Sequence, residues 1–127
     1  MKYLYDTNIF IDYFADEGAV IEWFTEDFLT NNQVIISTII KMELLSYSGL
    51  SVKEDQAIRE CLEQFDNIFV TPKIEEVTIQ IRKQHKIKLP DAIIGGTALV
   101  EGAVLVTRNI DDFQGISSLN IVDPFTN

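Results

Sequence analysis

Between Lys2 and Val122 short apolar stretches alternate with longer segments of helical period, and the short stretches lack the in-and-out alternation of a half-exposed strand. Strands of that kind are buried on both faces, which points to a parallel sheet covered on each side by its own connections. The expected fold class is therefore α/β: a three-layer α/β/α domain around a central, mostly parallel sheet of four or five strands. A chain of 127 residues has room for one core, so residues 1–127 are expected to form a single domain.

The pattern places a first strand over residues 2–5, ending at Asp6, with Thr7 and Asn8 capping a helix over 9–14. A helix over about 18–31 carries Ile21, Phe24 and Phe28 on one face, and Asn31-Asn32 stops it before a strand over 33–37. Thr38 caps a helix to about Tyr47, and Ser51 with Glu54 has the capping-box spacing that opens another reaching Phe65. A strand over 68–70 leads to Thr71-Pro72, a cap followed by a proline at the first helical position, and a helix with Ile74, Val77 and Ile81 inward ends near Lys86. Pro90 then opens an almost wholly apolar helix over about 91–101, closed by Gly102. A strand over 103–106, a short helix or turn at Asp111-Asp112-Phe113 and a last strand over 120–122 complete the pattern.

Twenty acids against ten bases give a net charge of −10, which opposes non-specific attraction to nucleic acid, so any role on RNA must overcome that field locally. The single Cys61 excludes an internal disulfide and falls on the helical stripe Ile58, Cys61, Leu62, Phe65, where a thiol acts as a small hydrophobe. No apolar run approaches the roughly 20 residues needed to span a bilayer, and Met1 runs straight into a strand without a signal-peptide layout. The expectation is a soluble, cytoplasmic protein with no membrane partner.

Four carboxylates stand where a mere scaffold has little use for them. Asp6 follows the apolar strand Tyr3-Leu4-Tyr5; Glu43 lies in line with Ile39, Ile40 and Tyr47; Asp91 sits in the first turn of a helix made largely of Ala, Ile and Gly; Asp112 follows the strand at Val106, with Asp111 as a rival. Read singly, they serve as a turn residue, half of an ion pair and two helix caps. Gathered at the carboxyl ends of parallel strands they repel, by roughly 4 kcal/mol for a pair about 4 Å apart at an effective dielectric of 20, and need protons, bases or a metal. A hard divalent cation is the economical answer. Ligands that are all oxygen select Mg²⁺ or Mn²⁺ over zinc, and the one His85 lies at no ligand spacing.

These residues resemble the PIN-domain nucleases, and in particular the VapC-type toxins of toxin-antitoxin pairs. The resemblance covers nearly the whole chain and rests on Tyr5-Asp6-Thr7-Asn8, Met42-Glu43-Leu44, Leu89-Pro90-Asp91-Ala92 and the run from Val106 to Phe113, with Val122-Asp123-Pro124-Phe125 as the family's last strand. It implies an endoribonuclease in which Asp6, Glu43, Asp91 and Asp112 are catalytic and bind one or two Mg²⁺ or Mn²⁺ ions, while Asn8, Thr107 and Asn109 orient ligands or water. Where some members carry Asp, this chain has Asn109, and its acid comes three residues later. The resemblance also implies a homodimer and a cognate antitoxin.

Phe10, Ile11, Phe14, Trp23, Phe24 and Phe28 offer more apolar surface than one helical face can bury, leaving part for a partner. The densest basic stretch, with Arg82, Lys83, Lys86 and Lys88, directly precedes Asp91 and together with Arg108 is suited to RNA phosphates. A haloacid-dehalogenase-like phosphatase also uses a strand-end Asp, but needs a second acid where Asn8 stands. A receiver-type phosphoacceptor leaves Glu43, Asp91 and Asp112 without a purpose. A PIN-like domain that only binds or regulates is the remaining alternative.

Overall fold

The computed structural model describes residues 1–126. Five strands, β1 (Lys2–Tyr5), β2 (Gln33–Ser37), β3 (Asp66–Ile68), β4 (Val104–Val106) and β5 (Ile121–Val122), pair in parallel in the order β3-β2-β1-β4-β5. Neighbouring residues Leu4 and Tyr5 are both fully buried, as are Ile35 and Ile36 to within 1%. Since successive side chains point to opposite faces, the sheet is covered on both sides, as the lack of alternation predicts. Strand order reverses at β1: the chain moves outward to β2 and β3, then returns across to β4 and β5. The crevice between the ends of β1 and β4 is thus the topological switch point, where ligands of open α/β sheets gather.

Eight helices join the strands among the described residues: α1 (Thr7–Phe14), α2 (Gly18–Ile21), α3 (Glu26–Asn31), α4 (Thr38–Leu45), α5 (Val52–Leu62), α6 (Pro72–Gln84), α7 (Leu89–Glu101) and α8 (Ile110–Phe113). The capping box at Ser51 and Glu54, the cap at Thr71 and the left-handed Gly102 that ends α7 all form. None of these helices is long and apolar enough to cross a membrane.

Several boundaries differ from the sequence pattern, each for a local reason. The helix expected over 18–31 is broken into α2, a 3-10 turn at Glu22–Phe24 and α3. The Tyr5 hydroxyl donates to the Trp23 carbonyl, removing an acceptor that a continuous helix would use, and Thr25 restarts the helix by accepting from the Phe28 N–H. β3 covers 66–68 rather than 68–70 because its partner β2 ends at Ser37, opposite Ile68, so Phe69 and Val70 run past the sheet and are exposed. Ser37, not Thr38, caps α4, which stops at Leu45. On α6 Ile74 and Ile81 are buried and Val77 packs half-buried against the core as expected, and Thr78 is buried beside it. α6 and α7 pack closely there: a Cβ built on Gly96 would stand 2.7 Å from the Thr78 hydroxyl.

An aromatic cluster fixes α1 and the following turns on the sheet. Tyr5 meets Phe10, Trp23, Phe24 and Phe65, and Tyr3, on the same face of β1, meets Trp23 and Phe28. Phe10 and Phe24 are therefore interior and Trp23 and Phe28 half-buried, whereas Ile11 and Phe14 remain exposed. These two line a groove of about 360 Å³ with Leu44, Tyr47 and Leu50.

Candidate active site

Asp6 is the first residue beyond β1. Its backbone N–H still donates to the Val106 carbonyl of β4, so the carboxylate is fixed at the crevice between the two strand ends. The sequence pattern assigns the cap of α1 to Thr7 and Asn8. Instead Asp6 holds the cap position, with one carboxylate oxygen accepting from the Thr7 N–H at 2.8 Å. The correction matters, because it leaves the Thr7 and Asn8 side chains for other work. Thr7 donates its hydroxyl to Glu43 at 2.7 Å, tying α1 to α4. Asn8 directs its amide NH₂ at Asp6 and at the Thr107 hydroxyl, both at 3.4 Å.

Thr107 follows β4 as Asp6 follows β1, and the register that pairs Tyr5 with Val106 sets the two side by side. The Thr107 hydroxyl, fully buried, donates to Asp6 at 2.8 Å and accepts from the Asn109 N–H at 2.9 Å. Asp91 lies in the first turn of α7, where unpaired N–H groups and the helix dipole favour a negative charge. Asp112 lies in the first turn of α8.

Burial pushes the Asp6 carboxyl up to about 6, with Asp91 and Glu43 adding to the shift and the Thr107 and Thr7 hydrogen bonds opposing it. Asp91 is also raised, first by burial and then by the charges of Asp112 and Glu43, against the pull of Lys88. The four acids singled out in the sequence thus feel one another. Of the two rivals after β4, it is Asp112 and not Asp111 whose charge reaches Asp91. Among the described residues no salt bridge engages any of the four, and no group of three or more His, Cys, Asp or Glu is arranged closely enough to enclose a metal ion by itself. Like charges repel one another, and a hard ion that retains several of its waters does not need a closed protein cage. The donor set is all oxygen, which fits Mg²⁺ or Mn²⁺.

The PIN domain family matches the chain over residues 3–118. The chain belongs to the PIN-domain family. It is 28% identical to Ribonuclease VapC1 of Haemophilus influenzae strain R2866, over 97% of this chain and 98% of that one. A toxin-antitoxin complex from Klebsiella pneumoniae contains a chain 34% identical, with a TM-score of 0.80 and coverage of 98% and 99%. VapBC-1 from nontypeable Haemophilus influenzae gives 26% identity, a TM-score of 0.83 and coverage of 99% and 100%.

Not every residue singled out in this PIN chain joins the acidic crevice. Asn109 contributes its backbone N–H, and no side-chain hydrogen bond of Asn109 is found among the described residues. Arg82, Lys83 and Lys86 line a groove of about 550 Å³ with Ile79, Ile87 and Leu89, and Lys88 directly precedes α7 next to it. Arg108 is engaged elsewhere, pairing with Asp12 of α1 at 3.1 Å and lying over the Phe125 ring. Asp12 is not among the acids singled out in the sequence, although a carboxylate interrupting the apolar stretch from Ile9 to Phe14 is the same signal that marks Glu43. Thr7, noticed only as a cap, turns out to hold Glu43.

Thr107→Val keeps the shape but removes the hydroxyl that steadies ionised Asp6. The Asp6 carboxyl is expected to titrate higher still, followed by ¹³C NMR, and the fold at pH 7.5 to lose about 1–2 kcal/mol in urea unfolding. An unchanged Asp6 titration would show that the hydroxyl does not support the charged carboxylate.

Proposed function

We propose that the chain is a metal-dependent endoribonuclease, hydrolysing RNA phosphodiester bonds as the toxin of a toxin-antitoxin pair, and that it works as one domain. The observation that carries this reading is Asp6: a carboxylate only 4% exposed, at the switch point of the sheet, within reach of the charges of Asp91 and Glu43 and paired with no base among the described residues. The names of the Haemophilus relative and of the toxin-antitoxin neighbours support the ribonuclease and toxin assignments.

Asp6 and Asp91 are the main ligands in this reading, with Glu43 and Asp112 completing the set directly or through water. One or two Mg²⁺ or Mn²⁺ ions bound there would activate a water molecule and neutralise the phosphodiester during in-line attack. The chain's own residues supply the orientation. Thr107 and Asn8 donate to Asp6, and Thr7 donates to Glu43. Such outer partners set ligand direction and basicity.

Arg82, Lys83, Lys86 and Lys88 form the RNA path, a local positive strip that offsets the chain's net charge of −10 on the approach to Asp91. The groove of Ile11, Phe14, Leu44 and Tyr47 is suited to an apolar segment of the antitoxin. A homodimer, implied by the family resemblance, belongs to the same proposal.

The test is cleavage of end-labelled structured and unstructured RNAs with Mg²⁺ or Mn²⁺. Internal cuts that EDTA abolishes and added metal restores are expected. Replacing Arg82, Lys83 and Lys86 by Gln should raise KM by about tenfold at low salt and flatten the salt dependence, each lost phosphate contact reducing the slope by roughly 0.7 on single strands. Cleavage that survives complete removal of metal, or no cleavage of any RNA at millimolar metal, would sink the reading.

A further inference from the structure

The residue next to Thr107 offers a second role for the loop that carries it. Arg108 Nη1 donates to both carboxylate oxygens of Asp12, at 3.1 and 3.3 Å, and its guanidinium carbon lies 4.0 Å from the centroid of Phe125. Asp12 is buried in α1, and Phe125 lies just beyond β5 in a turn closed by its own N–H donating to Asp123 at 2.9 Å. One guanidinium therefore joins three parts of the chain: the loop after β4, the helix that Asp6 caps, and the segment after β5. Its planar fork suits this task, since it can meet a carboxylate at its edge and an aromatic ring on its face at once.

The joined loop is the one that orients Asp6. The Arg108 N–H donates to the Asn8 side-chain oxygen at 3.3 Å, and Asn8 in turn directs its NH₂ at Asp6 and Thr107. A loop with three such ties to α1 has little freedom to swing Thr107 away from Asp6. We infer that Arg108, clasped between Asp12 and Phe125, is a positioning residue that holds the Thr107–Asn109 loop and Asn8 around Asp6, rather than a contact for RNA phosphate. This goes beyond the proposed nuclease reading, and its activity readout rests on that reading. It also gives the segment after β5 a share in the site from which it is remote in sequence.

The two roles for Arg108 separate in variants that leave its charge in place. Asp12→Asn and Phe125→Ala loosen the clasp and keep the arginine. They are expected to lower kcat by about tenfold or more, as loss of an outer-shell partner does, with KM for RNA and its salt dependence unchanged. Arg108→Lys, which keeps charge but not the planar fork, should behave like Arg108→Ala, whereas Phe125→Tyr, which keeps the ring, should restore kcat. Amide exchange on the same proteins without RNA or metal gives a reading independent of cleavage. The Arg108 and Asn109 N–H groups should exchange about tenfold faster or more in Asp12→Asn and Phe125→Ala, with the Asp6 N–H bonded to Val106 unchanged. The inference is overturned if Asp12→Asn and Phe125→Ala leave both kcat and the two amides as in wild type while Arg108→Ala raises KM. If wild type cleaves nothing, the nuclease reading fails by itself, and amide exchange alone decides the clasp: faster exchange supports it and unchanged exchange overturns it.

Discussion

Asp6→Asn is expected to abolish RNA cleavage, by at least about a thousandfold, and at the same time to stabilise the metal-free fold near neutral pH. The first effect follows from removing the central anionic ligand of the proposed metal site, a loss of roughly 4 kcal/mol or more from the barrier reduction. The second follows from burial. The carboxyl ordinarily titrates near 3.8 and here is pushed up to about 6, so the folded chain holds this proton more tightly than the unfolded one. Stability from this group is full below about pH 4 and is lost as the pH rises through about 6, reaching at most about 3 kcal/mol. Asparagine carries no charge to desolvate and is an equally good cap for α1, so the variant escapes that loss.

Urea unfolding in EDTA at several pH values checks the argument. The variant should exceed wild type by about 1–3 kcal/mol at pH 7.5, with the difference disappearing near pH 4. Adding Mn²⁺ should reverse the order, because a ligand at a hundred times its Kd stabilises the state that binds it by about 2.7 kcal/mol and the variant has lost its main ligand. A variant that cleaves RNA like wild type, or that is less stable at pH 7.5 without metal, contradicts the assigned role.

Parallel topology and the placement of Asp6 were legible in the sequence because both depend on near neighbours. A strand buried on both faces has a recognisable composition, and a carboxylate directly after one is conspicuous. Glu43 and Asp91 were legible for the same reason, as charges on apolar helices. Asp12 carried that signal as well, but its partner Arg108 is 96 positions away, and no local spacing announces an arginine that reaches both Asp12 and the Phe125 ring. Adjacent in the sequence, Asp111 and Asp112 share the first turn of α8, and only the charge of Asp112 adds to the shift of Asp91. The break in the helix after α1 depended on Tyr5, whose hydroxyl takes a carbonyl 18 residues on. A tertiary hydrogen bond of this kind overrides local periodicity.

The same limit separates Phe10 from Phe14, which look alike in the sequence as aromatic residues of one helix, and the largest stability effect is expected where they differ. Phe10 is fully buried, with ring centroids 6.0, 5.5 and 5.3 Å from those of Tyr5, Phe24 and Phe65. Phe14 is 40% exposed. Phe10→Ala should cost about 3–5 kcal/mol, the transfer energy of the ring plus the cavity it leaves, and lower Tm by roughly 10 °C or more. Phe14→Ala should stay within about 1 kcal/mol of wild type. Because α1 also carries Thr7, Asn8 and Asp12, a Phe10→Ala chain that still folds at low temperature should hold Asp6 less firmly and lose cleavage activity beyond its unfolded fraction. Denaturant curves for the two variants, with activity measured well below Tm, decide the matter. Equal, small losses in both would mean that α1 is not anchored through the aromatic cluster, and the account of how Asp6 is held in place would have to start from another contact.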